Sequence, residues 1–205
     1  RRSSDLAVHR QRGAVAGDSK AVAPAVHVEV AHAAVCHLEL AHDSARGVRE
    51  IVLLGQNVNS YGRKEGEIPF HELLRRLARV EGISRIRFIT SHPRDLDDRT
   101  IGLFSEEEKL CPHLHLPLQA GSDRVLAAMG RGYTRKEYLS KVAALRRARP
   151  GIAFSSDFIV GFPGETEDDF LETLSIMEEV RYDSAFSFCF SPRPGTRAAA
   201  MGDRV

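Results

Sequence analysis

The residues able to do chemistry gather just after short apolar runs. Glu50–Leu54 is followed by Gly55-Gln56-Asn57-Val58-Asn59-Ser60-Tyr61-Gly62, and Arg85–Ile89 by Thr90-Ser91-His92-Pro93. His113–Leu118 leads into Gln119-Ala120-Gly121-Ser122, and Ile152–Val160 into Gly161-Phe162-Pro163-Gly164-Glu165-Thr166. Ala185–Phe190 is followed by Ser191-Pro192-Arg193-Pro194-Gly195-Thr196. Amides and hydroxyls hydrogen-bond a carboxylate, a ribose or a base edge, and glycines let a flat ligand approach the backbone. The expected chemistry is recognition of a polar small molecule. Any one of these loops taken alone is equally well turn chemistry, since Asn, Gly, Ser and Pro are what turns use.

Single residues carry narrower readings. Histidine side chains titrate near neutral pH, so His92 could serve as acid or base, but a hydrogen bond to a neighbouring loop is the favoured role. His113 and His115 stand at i and i+2 and share one side of their strand, where packing is favoured over ligand contact. Asp157, inside an apolar strand, is costly to bury alone and calls for a partner such as Arg87, Arg131 or a ligand amine or ribose. Arg131 and Arg193 are loop cations suited to a carboxylate or phosphate, with a solvated surface role as the alternative. Phe186, Phe188 and Phe190 read as core before a base-stacking platform. Arg75, Arg76 and Arg79 read as the outer face of a helix.

Metal chemistry finds little support. Cys36, Cys111 and Cys189 are 75 and 78 residues apart, which suits neither a disulfide framework nor an iron-sulfur or zinc site. His27, His32 and His37 are spaced by five and do not share a helical face. No catalytic residue and no metal ligand is assigned. With 29 basic and 28 acidic residues in 205, no global field announces a nucleic-acid partner. No apolar run approaches the roughly 20 residues that span a bilayer, so a soluble cytoplasmic protein without a membrane partner is expected.

The elements that must position these loops begin near residue 46. Residues 1–45 are rich in Ala, Val and His, hold five of the nine His, and lack Phe, Tyr, Met, Ile and Asn. They show no sustained helix or strand period and read as an atypical arm. Residues 46–205 read as one core domain. Strands are predicted at 50–54, 85–90, 113–118, 152–160 and 185–190. Helices are predicted from Phe70 to Val80, with Leu73, Leu74, Leu77 and Val80 on one face, and from about Asp123 to Met129. Two more open at the capping pairs Thr134/Glu137, with Tyr138, Val142 and Leu145 on one face, and Thr166/Asp169, with Phe170, Leu174 and Met177 repeating. Strands alternating with helices imply βαβ units and a parallel α/β sheet, either a barrel or a doubly wound sheet, with ligands at the C-terminal strand ends.

Taken together, the rim loops resemble the radical S-adenosylmethionine (SAM) methylthiotransferases from about Arg46 onward. The loop Leu54–Gly62 resembles the branch acting on isopentenyl-adenosine in tRNA beside the anticodon. Thr90–Pro93, His113–Ser122, Gly130–Thr134, Asp157–Thr166 and Ser191–Thr196 extend the likeness in order. The resemblance implies a partial, open TIM-like parallel barrel of the radical-SAM type. It also implies SAM and [4Fe-4S] clusters as cofactors, the tRNA anticodon stem-loop as partner, and transfer of sulfur and methyl to an adenine carbon. Gln56, Asn57, Ser91, His92, Gln119, Asp157, Gly161 and Arg193 are the expected cofactor-binding residues.

The chain departs from that pattern in the cysteines. The family holds its cluster with a Cys-x-x-x-Cys-x-x-Cys loop upstream of the position of Gly55-Gln56-Asn57, where only Cys36 stands here. One thiolate in place of three does not hold the cluster, so an inactive fragment is expected. Either residues 1–45 come from a shifted reading frame, which accounts for the abrupt change in composition, or the chain is a divergent barrel that binds SAM or RNA without radical chemistry.

Overall fold

The computed structural model describes residues 25–29, 44–63, 67–89 and 91–202. Cys36, His32, His37 and Thr90 lie outside them. The chain forms two compact units, one of residues up to Thr90 with Leu103–Cys111, the other of Ser91–Gly102 with Pro112–Val205.

The first unit holds the strands β1 (Ala25–Glu29), β2 (Glu50–Leu54) and β3 (Arg85–Phe88), parallel and in that order. Its run Ile51-Val52-Leu53 is buried because β2 is the central strand. Helix α1 (Phe70–Ala78) turns Leu73, Leu74 and Leu77 inward and is followed by buried Val80, the face that the spacing predicts. Its opposite face is ionic: Arg75 pairs with Glu106 at 2.7 Å and Arg76 with Glu72 at 3.2 Å.

Two elements differ from the expectation. Ala25–Glu29 lies inside the segment read as an arm without a strand, yet it pairs along β2 from Ala25↔Glu50 to Glu29↔Leu54 and buries Val26 and Val28. Two alternating valines are too short a pattern to detect in an Ala-rich stretch, and the free edge of β2 supplies the partner. Helix α2 (Asp98–Glu106) is also new; the side chain of Asp97 accepts a hydrogen bond from Thr100 N–H at 2.7 Å and opens it.

The second unit holds β4 (His113–His115), β5 (Ala153–Val160) and β6 (Ser184–Cys189), again parallel and in that order. Strand β4 is shorter than predicted. Its continuation touches β5 again at Gln119, which bridges to Phe158. Helices α3 (Asp123–Ala128), α4 (Arg135–Ala148) and α5 (Glu167–Val180) fill the connections. Both predicted capping boxes are present, at Thr134/Glu137 and Thr166/Asp169. Tyr138, Val142 and Leu145 are buried as expected.

Helix α5 is a correction: it buries Asp169, Thr173, Ile176 and Val180, while Leu174 is exposed. Polar contacts outweigh the apolar period. Gly121 N–H donates to Thr173 Oγ1 at 2.9 Å and Ser122 Oγ–H to Asp169 Oδ1 at 2.5 Å, which turns that face toward the loop after β4.

Strand β6 is the second correction. Phe186 and Phe188 are 58% and 55% exposed, not core, because β6 is an edge strand and no described element covers that face. With two three-stranded parallel sheets the fold is α/β, partial and not closed. Among the described residues no helix is long and apolar enough to cross a membrane.

Candidate functional site

In the second unit the strands end at a cavity of about 560 Å³. Gln119 after β4, Asp157 and Ile159 of β5, Phe188 of β6 and Arg193 beyond it line its wall. Three of the eight expected binding residues, Gln119, Asp157 and Arg193, therefore meet in one place.

Gln119 is held there by its backbone. Its φ of 80° is a left-handed conformation that L side chains rarely adopt. Gln119 N–H donates to Asp157 O at 2.9 Å and Ile159 N–H to Gln119 O at 2.8 Å, so β5 over-determines the conformation. Gln119 also lines a neighbouring cavity of about 450 Å³, walled by Phe162, Phe190, Arg131 and Arg197. The Phe162 and Phe190 rings meet edge to face at 5.2 Å.

The partner of Asp157 is neither Arg87 nor Arg131. Arg87 donates to Glu50 at 2.9 Å, and Arg131 donates to the Tyr133 hydroxyl at 3.0 Å. Burial raises the Glu50 carboxyl, but the hydrogen bonds and charges of Arg85 and Arg87 outweigh it and hold the group below its ordinary range. Asp157 Oδ2 instead lies 3.4 Å from His115 Nε2, and His115 Nδ1 lies 3.0 Å from Ser155 Oγ. His113 and His115 do share a side of the sheet, since His113 Nε2 meets the same Ser155 Oγ at 3.2 Å. This row was not legible as a set, because Ser155 joins the two histidines only through the β4–β5 register His115↔Ser155.

The other expected residues have local duties. His92 Nδ1 accepts from Arg94 N–H, two residues on, at 3.2 Å, a cap within its own loop, and its ring meets Tyr133 edge to face at 5.5 Å. Ser91 is buried, and its Oγ has no hydrogen-bond partner among the described residues. Gly161 has a φ of 71° with nothing within 4 Å of where a Cβ would stand. Its N–H and that of Phe162 converge on Glu165 Oε2 at 2.5 and 3.1 Å. Glu165 is thus a loop clamp that the pattern did not single out.

Gln56 and Asn57 belong to the first unit, in the loop after β2. Gln56 is exposed. Asn57 O accepts from Ser60 Oγ–H at 2.7 Å, which folds the loop into a short 3₁₀ turn, Val58–Ser60. Gly62 closes it at a φ of 83°, where a Cβ would stand 2.3 Å from Ile68 O.

Cys111 is buried and burial pushes its thiol up, whereas Cys189 is exposed in the wall of the larger cavity. Among the described residues no group of three His, Cys, Asp or Glu side chains could hold a metal ion.

A sequence profile of the radical SAM superfamily matches residues 35–177. The tRNA-2-methylthio-N(6)-dimethylallyladenosine synthase of Geobacter metallireducens is 64% identical over 162 residues, 78% of this chain and 37% of that protein. The protein of the same name from Geobacter sulfurreducens is 62% identical over 168 residues, 82% of this chain and 38% of that one. The chain thus spans well under half the length of these curated relatives.

Among solved structures, the radical S-adenosylmethionine methyltransferase TsrM of Kitasatospora setae, with cobalamin and a [4Fe-4S] cluster bound, superposes with a TM-score of 0.64 at 17% identity. It covers 82% of this chain and 32% of that one. Methylornithine synthase (PylB) superposes at 0.52 and 17% identity, over 81% of this chain and 48% of its own. At such identities the likeness is one of fold.

Proposed function

We propose, for a chain that belongs to the radical SAM superfamily, that its second unit is a SAM-binding portion of a tRNA methylthiotransferase core. The observation that carries the reading is the cavity joining Gln119, Asp157 and Arg193 at the C-terminal ends of parallel strands. Such strand ends are where α/β folds place ligands. An acid, a base and an amide on one wall suit a ligand with hydroxyl, ammonium and carboxylate groups, and Phe188 and Phe190 offer apolar faces beside them. Buried Ser91 Oγ, His92 and the open backbone at Gly161 are proposed as further binding groups of this unit. Gln56 and Asn57 are proposed as binding residues of the first unit in their own right.

The substrate proposed is isopentenyl-adenosine in the tRNA anticodon stem-loop, and the cytoplasm the place of action. The likeness to the two synthases supports this.

Bound beside a four-iron cluster, SAM supplies reductive cleavage at its sulfonium. The residues present do not fit that cluster. The three cysteines are far apart in sequence, Cys111 is buried and Cys189 stands in a different unit from it. This stretch of 205 residues is proposed to bind SAM without cleaving it. The break in composition at residue 45 is proposed as the edge of a segment read in a shifted frame. A Cys-x-x-x-Cys-x-x-Cys segment in another frame of the coding DNA upstream of Arg46 supports that; its absence refutes it.

Calorimetric titration with S-adenosylhomocysteine tests the binding reading. Uptake by the wild-type chain, lost in Asp157→Ala and Arg193→Ala, is the expected result. No uptake, or uptake indifferent to both changes, overturns it.

A further inference from the structure

The row His113, Ser155, His115, Asp157 runs across one face of the second sheet, from β4 to β5 and back, and ends at the cavity wall. Its contacts are 3.2, 3.0 and 3.4 Å in that order. Asp157 lines the cavity; His115, His113 and Ser155 do not. Each contact constrains the next. A carboxylate accepts and does not donate, so the nitrogen that faces Asp157, His115 Nε2, carries the ring proton. In the neutral ring His115 Nδ1 is then an acceptor, and the only proton Ser155 Oγ owns is directed to it. Ser155 Oγ in turn accepts from His113 Nε2–H. The row has one direction of donation, set from its Asp157 end.

We infer that His115 is a positioning residue: braced by Ser155 and His113, it holds Asp157 by Oδ2 so that Oδ1 is offered to a hydrogen-bond donor in the cavity. No protein donor to Oδ1 occurs among the described residues, and the Asp157 side chain is 30% exposed. The occupant this selects carries a hydroxyl or ammonium group for Asp157 and an anionic or carbonyl group for Arg193 across the same cavity. The inference rests on the proposed binding role of that cavity. It adds that recognition is set by side chains that do not touch the ligand.

Long-range ¹H–¹⁵N NMR of the whole chain reads the ring protons directly. The expected result is a proton on Nε2 and none on Nδ1 in both His113 and His115. In Asp157→Ala, where nothing orders the row, His115 should show a mixture of the two forms. A proton on Nδ1 of His115 in the wild type, or an unchanged spectrum in Asp157→Ala, overturns the inference.

Binding of S-adenosylhomocysteine gives the second readout. His115→Ala should weaken it roughly tenfold, about 1.4 kcal/mol, and His115→Gln, whose amide still donates to Asp157, should restore it to within about threefold. Equal losses in the two variants overturn the positioning role. If the wild-type chain takes up no S-adenosylhomocysteine, the binding reading fails and the recognition role of His115 with it, while the ring-proton spectra still decide whether His115 holds Asp157.

Discussion

Gln119 occupies a backbone conformation that its side chain disfavours, and two β5 hydrogen bonds keep it there. Conformations of this kind cost on the order of 1–3 kcal/mol and concentrate where ligands are held. Gln119→Gly should therefore raise the urea midpoint, by up to about 1 kcal/mol in stability, while weakening S-adenosylhomocysteine binding through loss of the amide. A stability loss in that variant would contradict the strain argument. Gly121 shows the opposite constraint. A Cβ there would stand 2.4 Å from Glu172 O and 2.5 Å from Thr173 Cα, both backbone atoms that cannot swing aside. Gly121→Ala should cost roughly 1–3 kcal/mol by overpacking, measured by chemical denaturation; a neutral result would mean that α5 moves freely. The sequence already showed both residues inside one polar loop. It did not show which was strained and which was crowded, because that depends on strands and helices far away in the chain.

At the scale of elements, α5 is anchored through its first turn. Asp169 accepts from Arg124, from Ser122 Oγ–H and from Thr166, closing the capping box and tying α5 to α3. The Arg124 hydrogen bond, against the opposing effect of burial and with help from Ser122 and Thr166, holds the Asp169 carboxyl well below the usual carboxylate range. In an unfolded chain Asp titrates near ~3.9. Folded, it binds its proton only at lower pH, so its stabilisation is complete above about pH 4 and is lost as the pH falls toward the folded value. Asp169→Asn should lower the melting temperature at pH 7 and narrow its gap to the wild type at pH 3. An equal gap at both pH values would remove Asp169 from the acid response. Thr134→Ala should cost about 1 kcal/mol by loss of the cap of α4, visible in the same melts. Both boxes are local in sequence, three residues from end to end, which is why spacing alone revealed them. The inward face of α5 was not, because Gly121 and Ser122 select it from about 50 residues away.

For the whole molecule, the proposal that this stretch binds SAM without cleaving it turns on its cysteines. Three cysteines at positions 36, 111 and 189 give no triad. Anaerobic reconstitution with iron and sulfide should leave no stable four-iron absorbance on the 205-residue chain, and a stoichiometric cluster that survives desalting would reverse that. The exposed Phe186 and Phe188 on edge strand β6 add a second expectation. An edge with apolar side chains recruits further strands, so the chain should associate with rising concentration in light scattering, and Phe186→Lys with Phe188→Lys should suppress it.

What the sequence determined by itself is local or periodic: the parallel α/β alternation, the helix caps, the polar loops at the strand ends and the spacing of the cysteines. These survive translation into structure because each depends on residues a few positions apart. Tertiary structure alone decided which loop residues share a cavity. It selected Gln119, Asp157 and Arg193 and gave His92 a local cap instead. It made Ala25–Glu29 a strand by offering it the edge of β2, and it exposed the β6 phenylalanines by leaving that strand at an edge. It also paired Asp157 with His115, since only the β4–β5 register brings Ser155 and both histidines into one row.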